Sequence, residues 1–102
     1  MARRVPQWKA HELINSRLDF EAGNFWARTD SYSGDYVIYS YNAEIGRVLA
    51  SGVVWVSTRS WSMTTSHHQG YLRRGLSGRD IIWAYSLDHA KTTTKWRDLV
   101  GN

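Results

Sequence analysis

The stretch SMTTSHHQ, residues 62–69, holds the side chains of this chain that are best suited to chemistry. A hydroxyl beside an imidazole, as in Ser66 and His67, suggests a nucleophilic site, but residues adjacent in sequence do not have the geometry of a catalytic triad. Adjacent histidines also lack the i, i+3 or i, i+4 spacing that directs two metal ligands to one side of a helix. The chain has no nucleophile elbow, phosphate-binding loop or paired-carboxylate motif. We therefore expect no catalytic residue, no metal site and no cofactor.

A helix is predicted over residues 66–76, and the same stretch would form its beginning. Ser66 followed three residues later by Gln69 is a capping box, in which the hydroxyl accepts from a helix N–H and the glutamine returns to the cap residue. Thr64 and Thr65 are alternative N-caps. A purely structural role as a helix start therefore accounts for the pattern without any ligand.

The predicted helix has two different sides, because successive residues are 100° apart around its axis. The inner side is formed by His68, Leu72 and Leu76, and we expect it to face the core. The outer side is formed by His67, Gly70, Arg73 and Arg74. Because His67 and His68 then point in different directions, they are not expected to share a metal ion.

The outer side and the helix start together predict an anion-binding surface. A helix N-terminus has unpaired N–H groups and a partial positive charge, and hydroxyl side chains add further donors. A phosphate could bind there, with arginines on the next phosphates. The residues predicted to bind nucleic acid or another anion are Arg59, Thr64, Thr65, Ser66, His67, Arg73, Arg74 and Arg79. Trp61 and Tyr71 could stack on an unpaired base.

The charge distribution favours the same surface. The chain has a net charge of +4, and no acidic residue lies between Glu44 and Asp80, whereas residues 21–44 contain four acidic residues and one arginine. A basic face of this kind attracts DNA, RNA, anionic lipid or an acidic protein patch. A solubilising surface without a ligand is the alternative.

Composition limits the other possibilities. The chain has no cysteine, which excludes disulfides, thiolate zinc sites and a cysteine nucleophile. The N-terminal residues lack the apolar segment of a signal peptide, and no apolar run is long enough to cross a membrane. We therefore expect a cytoplasmic protein with no membrane partner. Six Trp and six Tyr residues exceed what one small core can hide, so some should be exposed on a binding face or in a homodimer contact.

The length and patterning of the chain predict one α+β domain, residues 1–102, in which a short antiparallel sheet packs against helices. Runs of β-branched and aromatic residues predict strands near residues 24–29, 35–41 and 53–59. The last two strands are expected to pair antiparallel. Residues 42–47 between them are expected to form an edge segment or a turn.

Helices are predicted on both sides of this sheet region in the sequence. An N-terminal helix should begin at Pro6 and stop at Gly23. Besides the helix over residues 66–76, another is predicted near residues 80–90, with Asp80 as its N-cap. The segment of residues 92–100 could be extended or a short helix.

Two blocks of the chain resemble a group of small phage and prophage-associated proteins of unknown function, over roughly residues 23–76. The pattern of that group is Y-x-V-x-S-Y-x-x-x-I-A, then a variable link, then Y-S-x-T-T-S-x-H-Q followed by arginines. The first block corresponds to Tyr36, Ile38, Ser40, Tyr41 and Ile45. The second block corresponds to Trp61, Ser62, Thr64, Thr65, Ser66, His68 and Gln69. This chain departs from the pattern at Gly46, where Ala is expected, and at Trp61, where Tyr is expected.

The resemblance implies a phage or prophage origin, and with it the cytoplasm of a bacterial host, but it implies no activity. If the second block recurs among relatives, a helix cap accounts for only part of it. Ser62, His68 and Gln69 would then belong to a hydroxyl–histidine–glutamine network. This network would either lock the strand-to-helix corner or contact a ligand.

Two functions from different classes remain open. The first is a non-enzymatic accessory protein that binds DNA or RNA through the basic face, with an affinity that depends strongly on salt. The alternative is a phage early protein that binds and modulates a host protein through Trp, Tyr and Arg side chains, which dominate interface hot spots. Self-association into a homodimer is compatible with both.

Overall fold

The computed structural model describes residues 2–59 and 63–100, which fold into a seven-stranded sheet with four α-helices and a short 3-10 turn. The strands are β1 Arg3–Arg4, β2 Phe20–Ala22, β3 Phe25–Thr29, β4 Tyr36–Ser40, β5 Ala43–Val48, β6 Val54–Ser57 and β7 Ile81–Ala84. The helices are α1 Ala10–Asn15, α2 Met63–Gly75, α3 Leu87–Ala90 and α4 Thr94–Val100, and the 3-10 turn is Gln7–Lys9. The predicted α+β class is confirmed.

The strands lie in the sheet in the order in which they occur in the chain. The four inner pairs, from β2–β3 to β5–β6, are antiparallel, and the two outer pairs, β1–β2 and β6–β7, are parallel. A parallel pair needs a crossover connection, and α2 supplies it between β6 and β7. The sheet is therefore larger than the short antiparallel sheet predicted from sequence, although its centre has the predicted antiparallel character.

Strand β5 replaces the predicted edge segment or turn. It pairs with both β4 and β6, so the two strands that were predicted to pair with each other are separated by it, and that prediction is wrong. Tyr39 pairs with Glu44 and Ile38 pairs with Gly46, which leaves Ile45 as the extra residue of a β-bulge. The bulge puts Glu44 and Arg47 on the same face of the sheet, where they form an ion pair of 2.7 Å.

The N-terminal helix is shorter than predicted. It ends at Asn15, because Arg17 has a left-handed backbone with φ of 55° that a helix cannot continue through. Residues 20–22 then form β2, where Phe20 and Ala22 are buried and Glu21 is exposed. This alternation of buried and exposed side chains has the period of a strand.

The prediction of a helix over residues 80–90 is wrong for the first half of that segment. Residues 81–84 form β7 beside β6, with Ile82 and Ala84 buried and Trp83 47% exposed. Helix α3 begins later, and its N-cap is Ser86, whose side chain accepts from the His89 N–H, rather than Asp80. The segment that could be extended or helical forms α4.

Two hydrophobic clusters cover the two faces of the sheet. The larger lies between the sheet and helices α1 and α2, and it includes Ile14, Phe25 and Leu72. The smaller lies where the segment 87–96 covers the other face, around Trp55 and Ile82. Helix α2 therefore packs against the larger core with its inner side and faces solvent with its outer side.

Glycines permit the close approach of α2 to its neighbours. A Cβ at Gly75 would lie 2.7 Å from the Ile14 Cβ and 2.9 Å from the His11 carbonyl oxygen. A Cβ at Gly46 would lie 2.8 Å from a methyl group of Leu72. A larger residue at Gly75 would push α2 away from α1, and a larger residue at Gly46 would require the Leu72 side chain to shift.

Candidate functional site

The candidate site is built around the first half of α2, at the end of the sheet where β4 and β6 finish. These two strands point the same way, because each is antiparallel to β5. Helix α2 begins at Met63 rather than near Ser66, so Ser66 lies inside the helix and the predicted capping box is not formed. The residues directly before Met63 lie outside the described ranges.

A buried hydrogen-bond network joins β4 to α2. The hydroxyl of Ser40, the last residue of β4, donates to Thr65 Oγ1 at 2.9 Å. The same oxygen lies 2.7 Å from His68 Nδ1. All three side chains are buried. The two blocks of the sequence pattern therefore meet in the interior of the fold.

The environment of His68 favours its neutral form. Its ring stacks on Phe25 with centroids 4.8 Å apart and an interplanar angle of 9°. Its Nε2 is buried and has no hydrogen-bond partner within the described part of the chain. Burial lowers the pKa of His68, and the neighbouring charge of His67 lowers it further. Ser40 and His68 are both buried, so this hydroxyl–imidazole contact joins β4 to α2 in the interior of the fold.

Gln69 connects α2 to the end of β6. Its side-chain nitrogen donates to the carbonyl oxygens of Ser57 at 3.3 Å and of Arg59 at 3.4 Å. The glutamine therefore reaches across to another segment instead of back to a helix cap. It therefore holds the end of β6, and Arg59 two residues after it, against the helix.

Tyr41 forms the outer wall of this corner. Its backbone is left-handed with φ of 57°, a conformation that is uncommon for a bulky residue. Its carbonyl oxygen accepts from Trp26 Nε1 at 2.8 Å, and its N–H donates to the Asn24 carbonyl at 2.6 Å. Its ring lies 6.3 Å from that of His68 and is partly exposed.

The outer side of α2 is open and basic. His67, Gly70, Arg73 and Arg74 are exposed, while His68, Leu72 and Leu76 are buried, as the helical spacing predicts. A concavity of about 460 Å³ lies over the middle of this side. We call it the Gly70 concavity, and it is lined by Met63, Ser66, His67, Gly70, Tyr71 and Arg74.

The arginines of the acid-free segment have different surroundings. Arg47 contacts Asp35 and Glu44 at 2.9 and 2.7 Å, so two carboxylates compensate its positive charge, and the hydrogen bond to Glu44 raises its pKa further. Arg79 donates to the Asn15 carbonyl oxygen at 2.8 Å. The guanidinium of Arg73 lies 5.6 Å from the centroid of the Trp83 ring.

The remaining predicted site residues are divided between the surface and the interior. Arg59 lies 5.5 Å from the ring centroid of Tyr85, near the end of β6. Thr64 and Ser66 are exposed, whereas Thr65 is buried in the Ser40 network and lies away from the surface predicted for it. Tyr71 is half-buried, with its ring 6.2 Å from that of Phe25.

Trp61 and Ser62 lie outside the described residues, so their predicted roles stay predictions. The sequence did not assign Phe25, Trp83 or Tyr85 to this region. Phe25 and His68 are far apart in sequence, and Trp83 is in a segment predicted to be helical. Only the pairing of β6 with β7 brings Trp83 beside α2.

Two further findings on the described residues concern metal-ligand clusters and membrane-spanning helices. Residues 2–59 and 63–100 contain no group of three or more His, Cys, Asp or Glu side chains that could hold a metal ion. Within the same ranges, the helices are too short and too polar for any of them to cross a membrane.

These features define a small α+β domain in which one helix joins a buried histidine network to an exposed basic side. A family model described as a family of unknown function (DUF8033) matches residues 9–81. The chain belongs to this family, and the matched segment extends from the turn before α1 through α2 to the first residue of β7. No curated protein and no solved structure matches the chain.

Proposed function

We propose that this protein binds nucleic acid through the outer side of α2. The observation that carries the proposal is the state of Arg73 and Arg74. Both are exposed on α2, and neither forms an ion pair within residues 2–59 and 63–100. In contrast, Arg47 of the same acid-free segment is held between two carboxylates. Arginines without acidic partners are available to phosphate oxygens, which they can contact through two N–H groups at once.

The neighbouring side chains suit the same ligand. Ser66 and His67 are exposed about two turns before the arginines and provide further hydrogen-bonding groups. Trp83 is partly exposed beside Arg73, and a ring with an adjacent guanidinium can stack on a nucleobase. Phosphate contacts would dominate the binding free energy, so affinity should fall steeply as salt is added.

The resemblance in sequence supports a wider context for this function. We infer a phage or prophage origin and action in the cytoplasm of a bacterial host. In that setting the protein would act as an accessory protein that binds nucleic acid and does not itself catalyse a reaction. Expression of the gene during phage infection or prophage induction would test this origin directly: no transcript under either condition counts against it.

A second candidate function is the binding of a host protein, favoured by large apolar side chains at the surface. Trp8 is 60% exposed, Met63 79% and Tyr85 55%. Aromatic side chains beside arginines are typical of interface hot spots. Affinity capture from nuclease-treated host lysate separates the two functions, because a stoichiometric host protein that survives nuclease supports this second one. Homodimerisation through the same rings is compatible with both and is measured by sedimentation.

The proposal is tested with two charge-matched double variants. Arg73→Ala with Arg74→Ala removes two positive charges from the outer side of α2. Lys91→Ala with Arg97→Ala removes two from exposed positions in the segment 87–100, so both variants have the same net charge. We expect the first pair to weaken binding by a similar factor for all nucleic-acid sequences and to reduce the salt slope by about 1.4–1.8. Equal binding by the two double variants would contradict the proposed face.

A further inference from the structure

Gly70 has no packing reason to be a glycine, unlike the two other glycines that contact or belong to α2. A Cβ at Gly75 would collide with the Ile14 side chain and the His11 backbone, and a Cβ at Gly46 would press on a Leu72 methyl group, so both glycines have packing contacts. A Cβ at Gly70 would meet nothing within 4 Å. Yet Gly70 lies in the interior of a 13-residue helix, where glycine is less favourable than alanine. The fold itself would be more stable with a side chain at this position.

The surroundings of Gly70 indicate what a missing side chain would make room for. Ser66 lies one turn before Gly70 and Arg74 lies one turn after it, so a hydroxyl and a guanidinium border the concavity along the helix axis. His67 adds an imidazole at the same level as Ser66. None of the six residues that line the concavity is acidic. Gly70, which is exposed, is itself part of the lining.

We infer that the Gly70 concavity binds one phosphodiester group of the nucleic acid, with Arg74 and Ser66 as its donors. This inference rests on the proposed function and adds the position at which the nucleic acid comes closest to α2. Without a Cβ at residue 70, the phosphate can come within van der Waals distance of the helix backbone. Met63 and Tyr71, the apolar residues of the lining, are then placed to contact the adjoining sugar or base.

The charges argue against a second copy of this helix as the occupant. Close helix–helix packing over a glycine would bring Arg73 and Arg74 of both copies into proximity. Like charges at such a contact disfavour association. A phosphodiester group instead complements them. Self-association of the protein through this surface is therefore an outcome that would overturn the inference.

The test uses two substitutions of increasing size, Gly70→Ala and Gly70→Leu, in the full chain. Both residues are better helix formers than glycine, and the Cβ that both would add has no heavy atom within 4 Å. We expect the melting temperature to rise by about 4 °C in each. Binding is measured with an oligonucleotide of about 12 nucleotides as single-stranded DNA, as RNA of the same sequence and as duplex DNA.

We expect binding to weaken as the protein becomes more stable. Gly70→Ala should weaken it by roughly threefold to tenfold, and Gly70→Leu by roughly tenfold or more, because the larger side chain displaces the phosphate. The Leu variant should also lose about 0.7–0.9 from the salt slope, the contribution of one phosphate. This order, with stability and affinity moving in opposite directions, distinguishes a steric effect on the ligand from a damaged fold.

Besides self-association through this surface, three results would overturn the inference. If the parent binds nucleic acid and both variants bind as well as the parent, the concavity is not a phosphate site, while the proposed function stands. If the variants melt at a lower temperature than the parent, Gly70 has a packing role and the premise is wrong. If the parent binds none of the three probes at low salt, the proposed function and this inference fail together.

Discussion

The inner and outer sides of α2 contain the same kinds of residue in opposite circumstances. His68 is enclosed and bonded to Ser40, whereas His67, its neighbour in sequence, is exposed. Gly75 is required by the packing of Ile14, whereas Gly70 faces open space. The inner side is therefore explained by the fold alone, and the outer side is not. We therefore assign function to the residues of α2 whose identity the packing of the fold does not explain.

The largest expected effect is on the inner side. His68→Ala should lower the free energy of unfolding by about 3 kcal/mol, because it leaves a cavity beside Phe25 and removes a partner of the Ser40 hydroxyl. Urea denaturation measures this change, with His67→Ala as the control. If both variants are as stable as the parent, the buried network does not hold α2 to the sheet.

Gly75→Ala should be less damaging but still destabilising, by about 2 kcal/mol, because its Cβ would press on Ile14 and the His11 carbonyl. Gly70→Ala is the matched control for this prediction. The two substitutions are chemically identical and lie in one helix, yet their effects on the free energy of unfolding should have opposite signs. Stabilisation by both substitutions would mean that helix propensity controls Gly75 as well, and destabilisation by both would mean that Gly70 also has a packing role.

Acidification should weaken the fold through His68. The lowered pKa means that the folded state favours the neutral ring, whereas a histidine in the unfolded chain titrates near pH 6.5. The contribution is therefore complete above about pH 6.5 and is lost as the pH falls through the lower folded pKa. Melting temperatures between pH 7.5 and 5 test this, and the decrease should be larger for His67→Gln, which retains His68, than for His68→Gln. Parallel pH profiles of the two variants would contradict the assignment.

The smallest effect on stability is expected on the outer side. Arg73→Ala with Arg74→Ala should cost at most about 1 kcal/mol, mainly through the lost contact of Arg73 with Trp83. Thermal unfolding of this double variant is the measurement. A loss comparable to that of His68→Ala would show that the arginines are structural and would remove the main reason to assign them a ligand.

The sequence predicts the two sides of α2 and the strands near β3, β4 and β6, because these depend on local periodicity. It does not predict β7, since the run Ile-Ile-Trp-Ala fits a helix or a strand until β6 is placed beside it. The sequence does not predict β5 either, because its polar residues Glu44 and Arg47 break the alternation that is typical of a strand. Glu44 and Arg47 satisfy each other only after a bulge turns both to one face.

The candidate site divides in the same way. The exposed basic side of α2 follows from the spacing of its residues. The partners of His68 do not, because Ser40 and Phe25 reach it only through the register of β3, β4 and the helix above them. Nor could the sequence separate Arg47 from Arg73, since the carboxylates that neutralise Arg47 come from two different segments.

The most direct test of the central claim is a tryptophan-fluorescence titration of the parent protein with single-stranded DNA, duplex DNA and RNA, each at low and near-physiological salt. Trp83 beside Arg73 should report on a ligand at the outer side of α2. We predict micromolar or tighter binding to at least one polymer, with an affinity that falls steeply as salt is added. Absence of binding to all three at low salt, with anisotropy of labelled polymers also unchanged, would contradict the claim and leave the positive charge as a solubilising surface.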